Sequence, residues 1–190
     1  MTQSVQPVPA SDQFPDELPK QHEIVCGRLV RKAMPSVDHG DLSGELRAQL
    51  RAFRGRRRTP GGWWFSNDCE IEPFPDEQPV ERYLPDIVGW KISVVSEKPS
   101  GVRVSTWPQW VCEILSPSTA ADDKSHKLDA YHRMHVDHYW LVDPEERTLT
   151  VMRWGKDGYP RILFARADER VRAEPFDAIE LDLTDFFDCE

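Results

Sequence analysis

Apolar positions along this chain recur with two periods. In residues 38–54 (DHGDLSGELRAQLRAFR), Leu42, Leu46, Leu50 and Phe53 follow one another at steps of four, four and three. That spacing lays one apolar stripe along an amphipathic helix, with Asp38 or Asp41 as its N-cap. A second helix is predicted over residues 121–134, where Asp123, Lys127 and Tyr131 stand four apart and share a face. Elsewhere the period is two. EIVCGRLV (23–30) alternates around Gly27 and predicts a short hairpin with Gly27 at its turn. Trp64, Ser66 and Asp68 alternate with Phe65, Asn67 and Cys69, so a strand is expected there. LPDIVGWKI (84–92) reads as a strand entered through Pro85. WVCEILSP (110–117) and HYWLVDP (138–144) are apolar enough for burial on both faces. TLTVMRW and RILFARA flank a glycine-containing turn and predict an antiparallel pair, and DAIELDLTDFF predicts a short strand with a terminal helical turn. PFPDEQPVERY and SVVSEKPSGVRVSTW read as connections.

The order helix, strands, helix, strands predicts an α/β fold: a mixed sheet flanked by helices, in a single domain. WVCEILS, the helix over 121–134 and HYWLVD fit a right-handed βαβ unit with parallel central strands. Residues 1–21 are polar and proline-bearing and read as a flexible N-terminal arm; residues 22–190 form the domain. The 190 residues suffice for one sizeable core, and seven tryptophans argue against disorder. No apolar run approaches the roughly 18–20 residues of a membrane span, and the N-terminus lacks a signal-peptide core, so cytoplasmic residence is the default expectation.

Net charge is −9, which opposes bulk attraction to nucleic acid. The one basic cluster, Arg51, Arg54, Arg56, Arg57 and Arg58, either contacts phosphates or closes the first helix as a solvated end. Cys26, Cys69, Cys112 and Cys189 include no CxxC pair and no zinc-finger spacing to histidine, so they read as reduced thiols.

The candidate chemistry lies between Leu84 and Asp143. Glu113 sits in an otherwise apolar strand, where a carboxylate is costly unless it is paired or holds a cation. Asp86 follows Pro85 at the start of another strand. Two such carboxylates can hold Mg²⁺ or Mn²⁺ through oxygen, and a nearby lysine, Lys127, can orient water or offset phosphate charge. Together these are the parts of a metal-dependent phosphodiesterase site. Ser116 and Ser118 lack a GxSxG elbow and a His–Asp relay. SPST (116–119) reads as a turn and helix cap near the metal site, and most tryptophans as core rather than a base-stacking platform.

PDIVGW (85–90), CEILSPST (112–119), DKSHKLDAYHRMHVDHYWLVD (123–143) and GWWF (62–65) together resemble the Uma-type endonuclease family, within the PD-(D/E)xK nuclease superfamily. The resemblance covers roughly residues 22–187. It implies a restriction-endonuclease-like fold and hydrolysis of nucleic acid, most expectedly DNA. Asp86, Glu113 and Lys127 would be the catalytic residues. Asp86, Glu113, the Ile114 main-chain carbonyl and Glu70 would be the Mg²⁺ or Mn²⁺ ligands. The superfamily's simplest pattern puts its lysine two residues after the strand acid; here that position is Leu115, and the resemblance transfers the ammonium to Lys127. His39 matches a family His-Gly, and with Ser116, Asp123 and Tyr131 makes up the possible substrate-contacting or supporting set. Nucleases of this fold often pair to reach both strands, so a homodimer is expected, with no membrane partner. The alternatives are a catalytically weak or inactive nuclease-fold protein that binds nucleic acid or self-assembles, and a structural oligomer joined through its aromatic strands.

Overall fold

The computed structural model describes residues 14–32, 37–55, 61–115 and 121–188. In chain order the elements are β1 (His22–Val25), β2 (Arg28–Arg31), α1 (Val37–Gln49), β3 (Trp63–Asn67), β4 (Glu70–Ile71), β5 (Ile87–Lys91), β6 (Arg103–Val104), β7 (Trp110–Ile114), α2 (Ala121–Arg133), β8 (His138–Asp143), β9 (Thr148–Arg153), β10 (Arg161–Arg166), β11 (Arg170–Val171), β12 (Leu181–Asp182) and α3 (Leu183–Phe187). Arg56–Arg58, Ser116, Ser118 and Cys189 lie outside the described residues, as does the side chain of Asp123.

β10, β9, β8, β7, β5 and β3 lie in that order in one six-stranded sheet. β7 and β8 pair in parallel across the α2 crossover, and the other neighbours are antiparallel. This is the predicted mixed sheet. The hairpin β1–β2 turns at Cys26 and Gly27, both left-handed with φ of 48° and 72°, the geometry that matches the twist of paired strands. The first helix departs from expectation at both ends. It begins at Val37, so Asp38 and Asp41 lie within it rather than at its N-cap, and a 3-10 turn, Leu50–Phe53, replaces its last predicted turn.

β7 is buried along its whole length, and its two faces meet different cores. Trp110, Cys112 and Ile114 join Leu42, Leu46, Leu50, Phe53, Trp63, Phe65 and Trp140 under α1. Val111 joins Val88, Trp90, Tyr131, Met134 and Tyr139 under α2. By the pleat, Glu113 belongs to the α2 face. Gly89 on β5 keeps the first core closed, because a Cβ there would lie 3.1–3.3 Å from Trp110, Trp63 and Phe65.

β4 and β6 form a small parallel pair beside the main sheet. Within the predicted arm, the carbonyls of Pro15 and Asp16 accept hydrogen bonds from Arg82 and Arg103 at 2.8 and 2.5 Å. Among the described residues, no helix is long and apolar enough to cross a membrane.

Candidate active site

Strand register brings the two acids together. Ile87 of β5 lies opposite Cys112 of β7. Continuing that antiparallel register by one residue sets Asp86 opposite Glu113, on the same face of the sheet. Both side chains are buried, at 3% and 6% exposure. Asp86 Oδ2 accepts the Ile114 N–H at 2.6 Å, which fixes the carboxylate against β7.

α2 covers this face and supplies the residues that hold Glu113. Tyr131 donates its hydroxyl to Glu113 Oε1 at 2.7 Å. Lys127, one turn earlier, places Nζ 3.4 Å from the same oxygen and 2.8 Å from Glu23 Oε1. Glu23 Oε1 also accepts the Leu84 N–H at 2.7 Å, so the β1 hairpin is tied to the segment leading into β5.

The remaining carboxylate oxygens face Lys32, just beyond β2. Its Nζ lies 2.5 Å from Asp86 Oδ1, 2.7 Å from the Leu84 carbonyl oxygen and 3.7 Å from Glu113 Oε2. His39 Nε2, on α1, lies 3.1 Å from Asp86 Oδ1. Glu23 and Lys32 were not found by sequence reasoning. Glu23 offered one signal, an acid in register with Val25 on the hairpin's inward face; Lys32 offered none.

Charge and burial compete differently at the two acids. Burial alone would raise the Asp86 pKa, but the His39 hydrogen bond and the Lys32 charge outweigh it and hold the group well below its ordinary value of 3.8. Burial dominates at Glu113, whose pKa is raised above 4.5 despite the Lys127 and Lys32 charges. Lys127 is raised: burial opposes its charge, but Glu113 and Glu23 prevail.

Asp86, Lys32 and His39 open onto a cleft of about 270 Å³, also lined by Ser43, Asn67 and Asp68. A second groove of about 430 Å³ shares Gly44 with it and is lined by Arg47, Arg51, Arg54 and Phe65. Arg47 lies 4.8 Å over the Phe65 ring, and among the described residues its buried Nη1 has no hydrogen-bond partner.

Glu70 requires a correction, because it is not in this cluster. Its carboxylate faces Arg103 and Arg82 at 3.3 and 3.8 Å, in a network shared with Glu72. Two guanidiniums already neutralise that site, and the β4–β6 pairing keeps it beside the main sheet. Among the described residues, no three His, Cys, Asp or Glu side chains converge as a metal cage. The structure thus brings together Asp86, Glu113, Lys127, Tyr131, His39 and the Ile114 backbone, and leaves Glu70 apart.

The profile of a family described as "Putative restriction endonuclease" matches residues 8–184. A crystal structure described as that of "a putative nuclease belonging to DUF820 from Anabaena variabilis" aligns with a TM-score of 0.69 at 18% identity, covering 95% of this chain and 98% of that one. At that identity the likeness concerns the fold, which is the nuclease-like fold the sequence predicts. No curated protein matches the chain.

Proposed function

The chain belongs to the Uma2 family, and from that premise we propose that it is a metal-dependent nuclease that hydrolyses phosphodiester bonds in DNA. The observation that carries this reading is the pairing of Asp86 and Glu113, each with one oxygen tied to protein donors and the other turned to a shared cation position beside an open cleft.

The residues fit a hard divalent ion. The Lys32 ammonium stands in for a cation among Asp86 Oδ1, Glu113 Oε2 and the Leu84 carbonyl, all of them oxygens. Mg²⁺ is often held by one or two carboxylates completed by waters and substrate phosphate, so a site short of three acids suits it. Asp86, Glu113 and the Ile114 main-chain carbonyl would hold Mg²⁺ or Mn²⁺. When bound, the ion would lower the pKa of an attacking water and stabilise charge on the scissile phosphate.

The surrounding residues have definite tasks in this reading. Tyr131 and Lys127 orient Glu113 from α2. An ammonium has three donors; among the described residues Lys127 gives two, to Glu23 and Glu113, and the third would hold a water. His39 orients Asp86 and faces a phosphate in the cleft. Arg47, Arg51 and Arg54 carry the flanking phosphates along the adjoining groove, a local attraction within a chain of net charge −9. A homodimer would present two such sites to a duplex.

A second reading, a nuclease-fold protein that binds nucleic acid without cutting it, draws on Lys32's place between the acids. Cleavage of plasmid and single-stranded DNA in Mg²⁺, Mn²⁺ or EDTA separates the two. The nuclease reading expects metal-dependent nicking that Asp86→Ala and Glu113→Gln abolish while circular dichroism stays native. Cleavage that persists in EDTA, or in both variants, would sink it.

A further inference from the structure

We propose that Lys32 is a built-in competitor for the divalent cation: its ammonium occupies the place between Asp86 and Glu113, and the metal enters only when Lys32 swings out. This rests on the metal-site reading of Asp86 and Glu113 proposed above and gives Lys32 a task that reading does not.

Geometry carries the inference. Lys32 Nζ contacts Asp86 Oδ1 at 2.5 Å and the Leu84 carbonyl at 2.7 Å, and Glu113 Oε2 lies 3.7 Å away. Ile114 N–H takes Asp86 Oδ2 and Tyr131 with Lys127 takes Glu113 Oε1, so Lys32 meets the other oxygen of each acid, sharing Asp86 Oδ1 with His39 Nε2 at 3.1 Å. A divalent ion held by both Asp86 Oδ1 and Glu113 Oε2 would need the place between them that the ammonium occupies. The two cations exclude each other by size as well as by charge.

The competitor serves a purpose in the empty site. Two facing buried carboxylates repel, and Lys32, placed between them, offsets that repulsion alongside Lys127 at Glu113 and His39 at Asp86. Its exit is also provided for, because Lys32 lines the 270 Å³ cleft with His39 and Ser43. An ammonium turned into that cleft meets the place where a substrate phosphate would sit. Metal entry and phosphate binding then favour each other, since each relieves what the other requires.

The test is Mn²⁺ binding to the full chain, read by electron paramagnetic resonance for wild type and Lys32→Met. Methionine keeps a long unbranched side chain, one atom shorter, without its charge. If the lysine-in state dominates, the apparent affinity of wild type is reduced by the fraction of chains in which the site is open, so Lys32→Met should bind Mn²⁺ at least about tenfold more tightly. A smaller gain, or none, overturns the proposal. Should Lys32→Met fail to fold, lysine acylation followed by mass spectrometry on wild type replaces it. Lys32 should then be protected without metal and modified faster at saturating Mn²⁺; an unchanged rate overturns the proposal. The two readings fail separately. Tighter Mn²⁺ binding by Lys32→Met with no DNA cleavage by either chain keeps the role of Lys32 and removes the nuclease. Metal-dependent cleavage by wild type with no gain in Lys32→Met keeps the nuclease and removes this role.

Discussion

Tyr131 donates its hydroxyl proton to Glu113 Oε1 at 2.7 Å, with both groups buried. The bond joins the crossover helix to the central strand at the one charged position that strand contains. Tyr131→Phe removes the donor and leaves the ring in place. A hydrogen bond to a charged group is worth about 1.5–3 kcal/mol, so urea unfolding should report a loss in that range. A stability equal to wild type would mean that Glu113 does not depend on this donor.

Lys127 bridges two acids from different elements, Glu23 and Glu113. Breaking a buried pair by removing one partner costs about 3–5 kcal/mol, because the other charge is left uncompensated. Lys127→Met should therefore destabilise the fold by that order, and adding Glu23→Gln should cost far less than Glu23→Gln alone. Simple additivity in the double-mutant cycle would show that the bridge carries no coupling.

Stability should depend on pH with opposite signs at the two acids. Asp86 has a depressed folded pKa, so its contribution is fully present above its ordinary 3.8 and is lost as the pH falls below that value. Glu113 has a raised folded pKa, so its contribution is present below 4.5 and is lost as the pH rises through the folded value. Urea unfolding between pH 3 and 8 should give a flatter profile on the acid side for Asp86→Asn. For Glu113→Gln it should be flatter above pH 4.5. Parallel profiles for all three chains would contradict the assignment.

Arg51 and Arg54 are exposed, line the groove next to the cleft and take no part in the acid cluster. Changing each to Ala should weaken DNA binding without altering the fold. Each lost phosphate contact should reduce the slope of log affinity against log salt by about 0.9. Binding measured by fluorescence anisotropy at several salt concentrations checks this; an unchanged slope would place the nucleic acid elsewhere.

Gly89→Ala adds one methyl group into contact with three aromatic rings at 3.1–3.3 Å. Overpacking of this kind costs about 1–3 kcal/mol. Thermal unfolding should show the loss, and wild-type stability would mean that Trp63, Phe65 and Trp110 can retreat.

The elements and half of the site were legible because they are written in local spacing. The leucine steps from Leu42 to Phe53 recur with the turn of a helix, and all four residues are buried. Asp86 and Glu113 stood out because a carboxylate beside or inside an apolar strand has to be neutralised by something. Lys127 and Tyr131 shared a predicted face of α2, and both reach Glu113. Glu70 looked equivalent to these acids from its position before β5. Only the placement of Arg82 and Arg103 against it assigns it to a different network.

The sequence by itself determined the two longer helices, the six strands of the main sheet, the parallel β7–α2–β8 unit and the pair of acids, because periodicity and the cost of a buried charge act within a few residues, whereas the two-residue strand β6 lies in a stretch that reads as a connection. The tertiary structure decided what neutralises those acids. Lys32 meets Asp86 from 54 residues away, and Glu23 meets Lys127 from the opposite half of the chain. Such partners are set by how the hairpin docks on the sheet and by the register of β5 against β7. No spacing along the chain encodes a meeting of that kind, since the energy that selects it comes from burial shared among elements distant in sequence.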